Sequence, residues 1–338
     1  MSLSDKTKVP EVSALMSCYN GGRWLCEAID SVLSQTFRDF EFIVVNDGST
    51  DNTWEIIQSY RARDERIVAI SKKNTGLADS LNTGIARARG SWIARVDQDD
   101  ICEPVRLEKQ LTFVRAHPGV ALLGSGFTEI NEGGVIITEH RYPSSHDALV
   151  GRLERLQGFF PHSSAFYLTD AARKAGGYNT RITRADDWRL WLELSLKGKL
   201  ACLKEPLVRI RKHSGQMSLD NNGARQYCDA AAATVCHLLR KGGHEDPSIS
   251  PDTEAWTSFL AWIDGRIAED GVLVRRKAWG DARAAFFSAR NSFYGAIKCA
   301  SVLFNSGYAA ELILNKIRGS KLPERLAREW RIMAAGKT

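Results

Sequence analysis

Three carboxylates stand together at Asp97, Asp99 and Asp100, directly after the apolar run that spans residues 92–96. Carboxylates gathered at the end of a buried strand repel one another unless a cation neutralises them. A hard divalent ion such as Mg²⁺ or Mn²⁺, bound by carboxylates and by phosphate oxygens of a substrate, removes this repulsion and stabilises a departing diphosphate. The segment therefore predicts a site that binds a diphosphate together with Mn²⁺ or Mg²⁺ as the cofactor.

A second pair of acids, Asp186 and Asp187, opens an amphipathic helical segment that continues to residue 194. Acids in a first helical turn favour the helix dipole, so the pair alone indicates ordinary helix capping. Beside a metal–diphosphate site the carboxylates have a second use, because sugar transfer with inversion requires a base that removes the proton of the acceptor hydroxyl. Trp188 gives Asp187 the semi-apolar setting that tunes such a base.

The first third of the chain alternates short apolar runs with segments of helical period, which predicts parallel strands joined by crossover helices. In such a sheet a ligand binds beyond the carboxyl ends of the strands. Polar loops follow all four predicted strands, so we expect one crevice that receives them. The predicted strands are residues 12–17, 40–45, 67–71 and 92–96, the helices are 24–34, 53–63 and 77–88, and the loops are 17–22, 46–51, 72–76 and 97–100.

Two common phosphate-binding signatures are absent from the sequence. No G-x-x-x-x-G-K-[ST] motif occurs, and no G-x-G-x-x-G follows the first predicted strand. A P-loop NTPase and a dinucleotide dehydrogenase are therefore disfavoured. The composition, with 43% hydrophobic and 25% charged residues, is close to that of globular proteins, and no repeat of fixed period occurs. A disordered chain and a solenoid are disfavoured as well.

Apolar runs and cysteines bear on the cellular compartment. No run approaches the roughly 18 to 20 apolar residues that span a bilayer, and the first ten residues carry charges without an apolar stretch. We therefore expect a cytoplasmic protein. The seven cysteines form no Cys-x-x-Cys pair, so the sequence predicts reduced thiols rather than a disulfide framework or a zinc site.

The formal charge of +6 is concentrated near the C-terminal end of the sequence. Residues 271–338 contain thirteen Lys or Arg and four acidic residues, a balance of +9. A basic segment interleaved with aromatic residues suits an anionic membrane surface, here the inner face of the cytoplasmic membrane. A helical cap with a solvated basic face accounts for the pattern equally well, and both interpretations stay open. The aromatic residues are Trp279, Phe286, Phe287, Phe293, Tyr294, Phe304, Tyr308 and Trp330.

Six segments in series resemble the family-2 glycosyltransferases of the GT-A fold, of the bacterial surface-polysaccharide type. They are VSALMSCYN at 12–20, FIVVNDGSTDNT at 42–53, NTGLADSLNTGIARARG at 74–90, WIARVDQDD at 92–100, GGYN at 176–179 and ADDWRLW at 185–191. The resemblance implies a catalytic domain of residues 1–220, an α/β nucleotide-binding sheet of mostly parallel strands flanked by helices. A helical, basic C-terminal region would follow at residues 221–338.

The implied activity is metal-dependent, inverting transfer of a sugar from a nucleotide-diphosphate donor, expected to be a UDP-sugar. The acceptor would be a hydroxyl of a saccharide or lipid-linked saccharide. Asp187 would be the catalytic base, and Asp186 stands where the family usually has glutamate. Metal ligands would be Asp99, Asp97 and His213. Donor-binding residues would be Ser17, Tyr19, Asn20, Asp47, Asn74, Gly76, Asn82, Asp97 and Gln98, with Asp47 suited to accept from a uracil N–H. Acceptor or phosphate contacts are expected from Asp100, His162, Asp186, Trp188 and Arg211.

Two other interpretations remain open. A sugar-phosphate nucleotidyltransferase shares the sheet and the ion, but its Gly-rich loop with a basic residue matches residues 19–23 poorly. A non-catalytic nucleotide-sugar-binding scaffold would keep the fold, although it has no need of Asp99 and Asp187 together. Nucleic-acid binding is not expected, because the first 270 residues contain no recognisable module for it.

Overall fold

The structure is a computed structural model that describes residues 9–216, 223–271, 273 and 320–335. The chain divides into two compact units. Unit 1 comprises residues 1–150 and 159–214, and unit 2 comprises residues 151–158 and 215–338. The candidate site residues that the sequence predicted all belong to unit 1.

Unit 1 begins with a parallel α/β arrangement. Strand β1 (Val12–Cys18) pairs on one side with β2 (Phe40–Asp47) and on the other with β4 (Trp92–Arg95), and β2 also pairs with β3 (Ile67–Lys72). The strands are connected by α1 (Leu25–Leu33), α2 (Thr53–Arg61) and α3 (Leu77–Arg87). The predicted strands and helices are confirmed, with ends that shift by one or two residues.

Further strands extend this sheet, namely β5 (Ile101–Cys102), β6 (Val120–Ile130), β7 (Ile136–His140), β8 (Phe166–Leu168) and β9 (Lys199–Arg211). The strand order is β3-β2-β1-β4-β8-β6-β9-β5, and β7 pairs with β6 outside this path. Strand β8 is antiparallel to both β4 and β6, whereas β9 is parallel to β6 and antiparallel to β5. The sheet is therefore parallel where the loops of the predicted crevice begin and mixed beyond β4.

The remaining helices complete the two units. They are α4 (Arg106–Ala116), α5 (His146–Glu154), a 3-10 turn (His162–Ser164), α6 (Thr169–Lys174), α7 (Asp186–Ser195), α8 (Ala224–Lys241), α9 (Thr253–Asp270) and α10 (Leu322–Ala335). The predicted acidic helix start is confirmed, since α7 begins at Asp186. None of the helices in the described ranges combines the length and hydropathy needed to cross a bilayer.

Strand β1, which leads to the first loop of the site, is buried along its whole length. Such burial is expected for a central strand covered on both faces. Cys18 ends the strand without any exposed surface, and burial raises the pKa of its thiol. The cysteines that the structure describes are free.

Unit 2 has an aromatic core between α9 and α10. The ring of Trp330 lies 4.8 Å from that of Phe259 and 5.1 Å from that of Trp262. Arg266 of α9 donates to Glu329 of α10 at 2.6 Å. The membrane interpretation of residues 271–338 falls largely on residues outside the described ranges; of its aromatic residues, Trp330 is described.

Candidate functional site

The loop after β1 is tied to the loops after β2 and β4 by two reciprocal pairs of hydrogen bonds. Asn20 donates from its backbone N to Ser49 Oγ (3.0 Å), and its Oδ1 accepts from Thr50 N (2.8 Å). Gln98 accepts from Tyr19 N at 2.9 Å and donates to Tyr19 O at 3.1 Å. These contacts join the ends of three strands into one rim, and Tyr19 remains 49% exposed on it.

Asp47 anchors the loop that follows β3. Its Oδ1 accepts from Lys72 Nζ (2.8 Å) and Thr75 N (3.0 Å), and its Oδ2 accepts from Gly76 N (2.9 Å). Burial raises the pKa of Asp47, but these donors outweigh it and hold the pKa below its ordinary value. Asp47 is therefore ionised. Asp47 is 2% exposed, and a hydrogen bond from Ser80 also lowers its pKa, so this geometry favours a positioning role over the nucleobase contact expected from the sequence.

The same loop ends at the start of α3. Asn74 is exposed, and Gly76 has a φ of 96° with no heavy atom within 4 Å of the position that a Cβ would take. Helix α3 begins at Leu77, and the backbone N–H groups of a helix start attract phosphate. Asn74 and Gly76 thus border the amino end of a helix, as a phosphate-facing wall requires.

Asn82 of α3 holds the loop that carries Tyr178. Its Nδ2 donates to Tyr178 O (2.8 Å), and its Oδ1 accepts from Tyr178 N (2.7 Å). A Cβ at Gly177, where φ is 71°, would lie 2.3 Å from Asn82 Oδ1, so only glycine fits. Both polar ends of Asn82 are used, and this geometry favours a positioning role over the donor contact expected from the sequence.

Arg95 is a fully buried cation at the end of β4. Its guanidinium is paired with Asp97, whose Oδ2 accepts from Ser163 Oγ at 2.8 Å. Burial raises the pKa of Asp97, but Arg95 and Ser163 outweigh it and hold the pKa below its ordinary value. Asp97 is therefore a charged carboxylate whose side chain keeps 32% exposure toward solvent.

Asp100 lies beneath the same loop, where it is 4% exposed. Its Oδ1 accepts from Arg211 N (3.0 Å), and its Oδ2 lies 2.6 Å from Ser163 Oγ. Burial and the charges of Asp99 and Asp97 raise the pKa of Asp100 well above its ordinary value. This placement favours a role in shaping the loop over the acceptor or phosphate contact that the sequence suggested.

Arg211, at the end of β9, also supports this loop from below. It is 2% exposed, and its guanidinium donates to Asp99 O (3.1 Å), Glu132 O (2.9 Å) and Glu27 Oε2 (2.5 Å). All of these partners belong to the protein. The sequence suggested a phosphate contact for Arg211, whereas its geometry favours positioning of Asp99.

Asp99 and His213 meet across the site. The Oδ2 atom of Asp99 lies 2.8 Å from Nε2 of His213, and the two side chains are 22% and 10% exposed. The imidazole packs on Trp24, with ring centroids 4.2 Å apart, and the guanidinium of Arg23 lies 4.3 Å from the same indole centroid. Burial and the charge of Asp97 raise the pKa of Asp99, and His213 opposes them.

The donor atoms of Asp99 and His213 suit a divalent ion. A carboxylate oxygen and an imidazole nitrogen are both accepted ligands of such ions, and in this structure the two atoms contact each other directly at 2.8 Å. Across the described ranges, no group of three or more His, Cys, Asp or Glu is arranged to hold a metal by itself. The pair thus resembles the usual Mg²⁺ arrangement, in which one or two carboxylates are completed by substrate phosphates.

Asp186 and Asp187 at the start of α7 differ in environment. Asp186 is 5% exposed, and its Oδ2 has no hydrogen-bond partner within the described residues. Burial and the charge of Asp187 raise the pKa of Asp186 to about 8. Asp187 is half-buried; burial and the charge of Asp97 raise its pKa to about 6, although Trp188 N donates to its Oδ1 at 2.7 Å. At neutral pH, Asp187 is therefore the mainly ionised carboxylate of the pair.

The charge of Asp97 raises the pKa of Asp187, so the start of α7 lies near the end of β4. Arg95 acts on both acids of the α7 pair as well as on Asp97. The acids after β4 and the acids of α7 therefore interact electrostatically, and their use in one active site stays a prediction.

His162 belongs to a buried chain of hydrogen bonds. Its Nε2 lies 2.7 Å from Tyr178 OH, which lies 3.2 Å from Tyr167 OH. Burial and the positive charge of Arg95 lower the pKa of His162 well below its ordinary value. The imidazole is therefore neutral and fixed by Tyr178, consistent with a lining residue rather than a mobile acid or base.

The two tryptophans of α7 have different surroundings. Trp191 is 1% exposed and packs against His162 and Tyr167, with ring centroids 5.8 Å and 5.7 Å away. Trp188 is half-buried, and its ring lies 6.2 Å from that of Phe159. Trp191 is a core residue, and Trp188 keeps a face that a sugar can contact.

Sequence reasoning missed three residues that organise the site, namely Arg95, Ser163 and Trp24. Arg95 lies within the run of residues 92–96 that the sequence analysis treats as apolar. A charged residue at that position, two residues before Asp97, could have indicated a partner for the carboxylate. Ser163 and Trp24 carried no such signal, because each acts through a partner that is distant in the chain.

Comparisons with known proteins bear on this arrangement. A model of glycosyl transferase family 2 matches residues 13–176. The putative glycosyltransferase EpsE of Bacillus subtilis is 35% identical over 210 residues, which cover 61% of this chain and 74% of EpsE. The O-antigen biosynthesis glycosyltransferase WbnJ of Escherichia coli is 29% identical over 234 residues, which cover 68% of this chain and 89% of WbnJ.

Two solved structures are similar in fold. Residues 1–349 of Staphylococcus aureus TarS in complex with UDP-GlcNAc align with a TM-score of 0.57 and 18% identity, over 87% of this chain and 79% of that one. The mannosyltransferase PcManGT of Pyrobaculum calidifontis, in complex with GDP-Man and Mn²⁺, aligns with a TM-score of 0.51 and 18% identity, over 95% of this chain and 87% of that one.

Proposed function

The chain belongs to glycosyltransferase family 2 and has the GT-A fold, and from this premise we propose that it transfers a sugar, with inversion, from a UDP-sugar to a saccharide hydroxyl. The acceptor is a saccharide or lipid-linked saccharide in the synthesis of a surface polysaccharide. The name of WbnJ supports the pathway, and the UDP-GlcNAc bound by TarS supports the donor class. Residues 1–220 carry the activity in this proposal.

One observation carries the proposal. Asp187 is a half-buried carboxylate with its pKa raised to about 6, and its charge interacts with that of Asp97 at the edge of the sheet. A general base acts best when its pKa lies near the working pH, because it is then ionised yet still takes up a proton readily. Asp187 is also half-buried and can meet a substrate, whereas Asp186 is 5% exposed.

In the proposed mechanism, Asp187 accepts the proton of the acceptor hydroxyl while that oxygen attacks the anomeric carbon of the donor. Attack from the side opposite the diphosphate inverts the anomeric centre. Asp186 is 5% exposed, so it does not compete with Asp187 for the acceptor hydroxyl. Trp188, beside Asp187, offers an aromatic face on which the acceptor or donor sugar rests.

The donor is bound by the loops at the carboxyl ends of the strands. Tyr19 and the hydrogen bonds of Asn20 and Gln98 form the rim for the nucleoside, and Asp47 anchors the loop that follows β3. Ser17 lies 8% exposed at the end of β1, below this rim. The amino end of α3 contributes N–H groups toward the phosphates.

Asp99 and His213 would hold Mn²⁺ or Mg²⁺, with the charged carboxylate of Asp97 nearby. When bound, such an ion neutralises the charge that develops on the leaving diphosphate. The Mn²⁺ in the PcManGT complex supports a divalent metal. Arg211 and Trp24 keep Asp99 and His213 in place through the contacts described above.

The variant Asp187→Asn tests the proposal. It keeps the shape of the side chain and removes the base, so we expect UDP affinity to remain within about twofold and sugar transfer to fall by roughly 10² to 10⁴. Asp170→Asn is the matched control, because the side chain of Asp170 is 74% exposed on α6. Transfer at the wild-type rate in Asp187→Asn would exclude Asp187 as the base. Binding of UDP-sugars without transfer or hydrolysis by the wild-type protein would favour a non-catalytic scaffold.

A further inference from the structure

The end of the turn between β6 and β7 and the first two residues of β7 expose three consecutive aliphatic side chains. Val135, Ile136 and Ile137 are 64%, 65% and 55% exposed, and we call these three residues the hairpin tip. Single exposed aliphatic residues are ordinary on protein surfaces. A contiguous apolar patch is different, because such patches mark sites of interaction.

The hairpin tip is held rigidly in this exposed position. Asn131 Oδ1 accepts from the backbone N of Gly133 (3.0 Å) and of Val135 (2.9 Å), and Asn131 N donates to Val135 O at 2.9 Å. Beyond the turn, Ile136 pairs with Ile130 of β6, next to a register shift between Glu129 and Ile130. The exposure is therefore built into a hydrogen-bonded turn, and collapse of the tip onto the protein would break these bonds.

The turn of this hairpin contacts the candidate site. Glu132 accepts from Arg211 through its backbone O (2.9 Å) and from Arg23 through its carboxylate (2.7 Å). Lys212, the residue before His213, donates from its N to Ile130 O at 2.8 Å. The hairpin tip thus extends from the residues that hold Asp99 and His213.

Charge around the hairpin tip is balanced, which indicates an apolar partner. Arg23 is paired with Glu132 at 2.7 Å, and Lys212 with Glu129 at 3.2 Å. On the far strand, Arg141 is paired with Glu139 at 3.5 Å. A partner that bound through charge would have to displace one of these pairs.

The exposed apolar area of the hairpin tip can be compared with the area that each kind of apolar partner would need. Three partly exposed aliphatic side chains offer on the order of 300 Å², whereas a stable protein interface buries about 800 Å² on each partner. A second copy of the chain would therefore need much more surface than the hairpin tip supplies. A hydrocarbon layer has no such requirement, since it accepts any apolar projection that reaches it.

We propose that the hairpin tip inserts into the surface of a lipid bilayer and holds the candidate site beside the headgroups. The membrane contact follows from the exposed tip itself; its use, to reach a lipid-linked acceptor, rests on the proposed function. Three aliphatic side chains give weak and reversible attachment, and stable anchoring needs a second contribution. The sequence of residues 271–338, with its balance of +9, supplies attraction to anionic lipids as that contribution.

Flotation of the full-length protein with vesicles tests the proposal. The test variant replaces all three tip residues by threonine (Val135→Thr, Ile136→Thr, Ile137→Thr), which keeps β-branched side chains in the strand. The control is Ile249→Thr, because Ile249 is 62% exposed elsewhere on the chain. Vesicles of phosphatidylcholine alone measure apolar insertion, and vesicles that also contain phosphatidylglycerol add the electrostatic contribution.

We expect the wild-type protein to bind both kinds of vesicle. The triple variant should lose about tenfold or more of its partition to phosphatidylcholine vesicles, and the control should stay within about twofold of wild type. Equal partition of the triple variant and wild type would overturn the proposal. Binding of wild type only to phosphatidylglycerol, with release by salt, would overturn it too, because charge alone would then account for the binding.

Two further measurements distinguish insertion of the hairpin tip from misfolding of the variant and from self-association. Hydrogen exchange at the amides of residues 135–137 in the wild-type protein should slow when phosphatidylcholine vesicles are added, which requires no variant; unchanged exchange would contradict insertion. A wild-type dimer in vesicle-free solution that the triple variant converts to a monomer would overturn the proposal in favour of a protein interface. UDP affinity and transfer to a soluble saccharide test the proposed function separately, since neither needs a membrane.

Discussion

The Nε2 atom of His213 lies 2.8 Å from Oδ2 of Asp99, although 114 positions separate the two residues in the chain. The contact exists because Arg211, two residues before His213, bonds to the backbone of Asp99 and to the carboxylate of Asp100. Trp24, from the start of α1, packs against the imidazole on another side. Three distant parts of the chain therefore converge on the pair that we propose as the metal site.

Removal of Asp99 tests this pair directly. In Asp99→Ala, we expect the gain in UDP affinity that Mn²⁺ provides to fall by about tenfold or more, because one carboxylate ligand is lost. Calorimetric titration of UDP with and without Mn²⁺ measures this gain. Asp170→Ala, at an exposed site on α6, is the control. If Mn²⁺ strengthens UDP binding equally in Asp99→Ala and wild type, Asp99 does not hold the ion.

The pKa of Asp187 predicts the pH dependence of transfer. A base acts in its deprotonated form, so the turnover rate at saturating substrates should fall as the pH drops through about 6, the pKa of Asp187. Above that value Asp187 stays ionised, and we expect a plateau near neutral pH. Steady-state rates across this range, with UDP affinity measured at each pH, separate catalysis from binding. A turnover rate that is flat across pH 6 would contradict the assignment of Asp187 as base.

The elements of the site were predictable from local sequence. Residues 97–100 follow a strand of apolar residues, and Asp186 opens an amphipathic helix, so residue types and spacing indicated both acidic clusters. The placement of residues 97–100 was inferred from the carboxyl ends of parallel strands, which meet at one edge of a sheet, whereas that of Asp187 was implied by the resemblance to the family.

The supports of the site were not predictable from local sequence. Ser163 contacts Asp97 because β8 pairs antiparallel with β4. The local sequence around Ser163 does not predict that pairing. Asn82 illustrates the same point, since its amide serves the backbone of Tyr178, 96 positions away. Arg211 and Asp100, which the sequence suggested as ligand contacts, are buried among protein partners. Such roles depend on strand order and register, which local patterns do not encode.

Gly48 links backbone geometry to donor binding. It has a φ of 70°, and a Cβ there would lie 2.7 Å from the backbone N of Asn74. Gly119 has a φ of 94° with open space around it, so Gly119→Ala adds backbone strain without a clash. We expect Gly48→Ala to lower the melting temperature by several degrees more than Gly119→Ala, and to weaken UDP binding because the loops after β2 and β3 must separate. Equal melting temperatures and UDP affinities in the two variants would show that the clash is absorbed.

Arg211 and Arg209 provide a matched pair for the buried support of the site. Arg211→Met removes a guanidinium that is 2% exposed and breaks its part-buried hydrogen bonds to the carbonyls of Asp99 and Glu132, so we expect a loss of about 2 to 4 kcal/mol in stability.

Arg209, two residues earlier on β9, pairs with Glu103, and the two side chains are 42% and 25% exposed. Arg209→Met should therefore cost about 1 kcal/mol or less, because water screens and replaces an exposed pair. Urea denaturation measures both losses. Mn²⁺-dependent UDP affinity should fall only in Arg211→Met, since Asp99 loses its backbone support there. Similar losses of stability and affinity in the two variants would mean that Arg211 does no more for the site than a surface arginine.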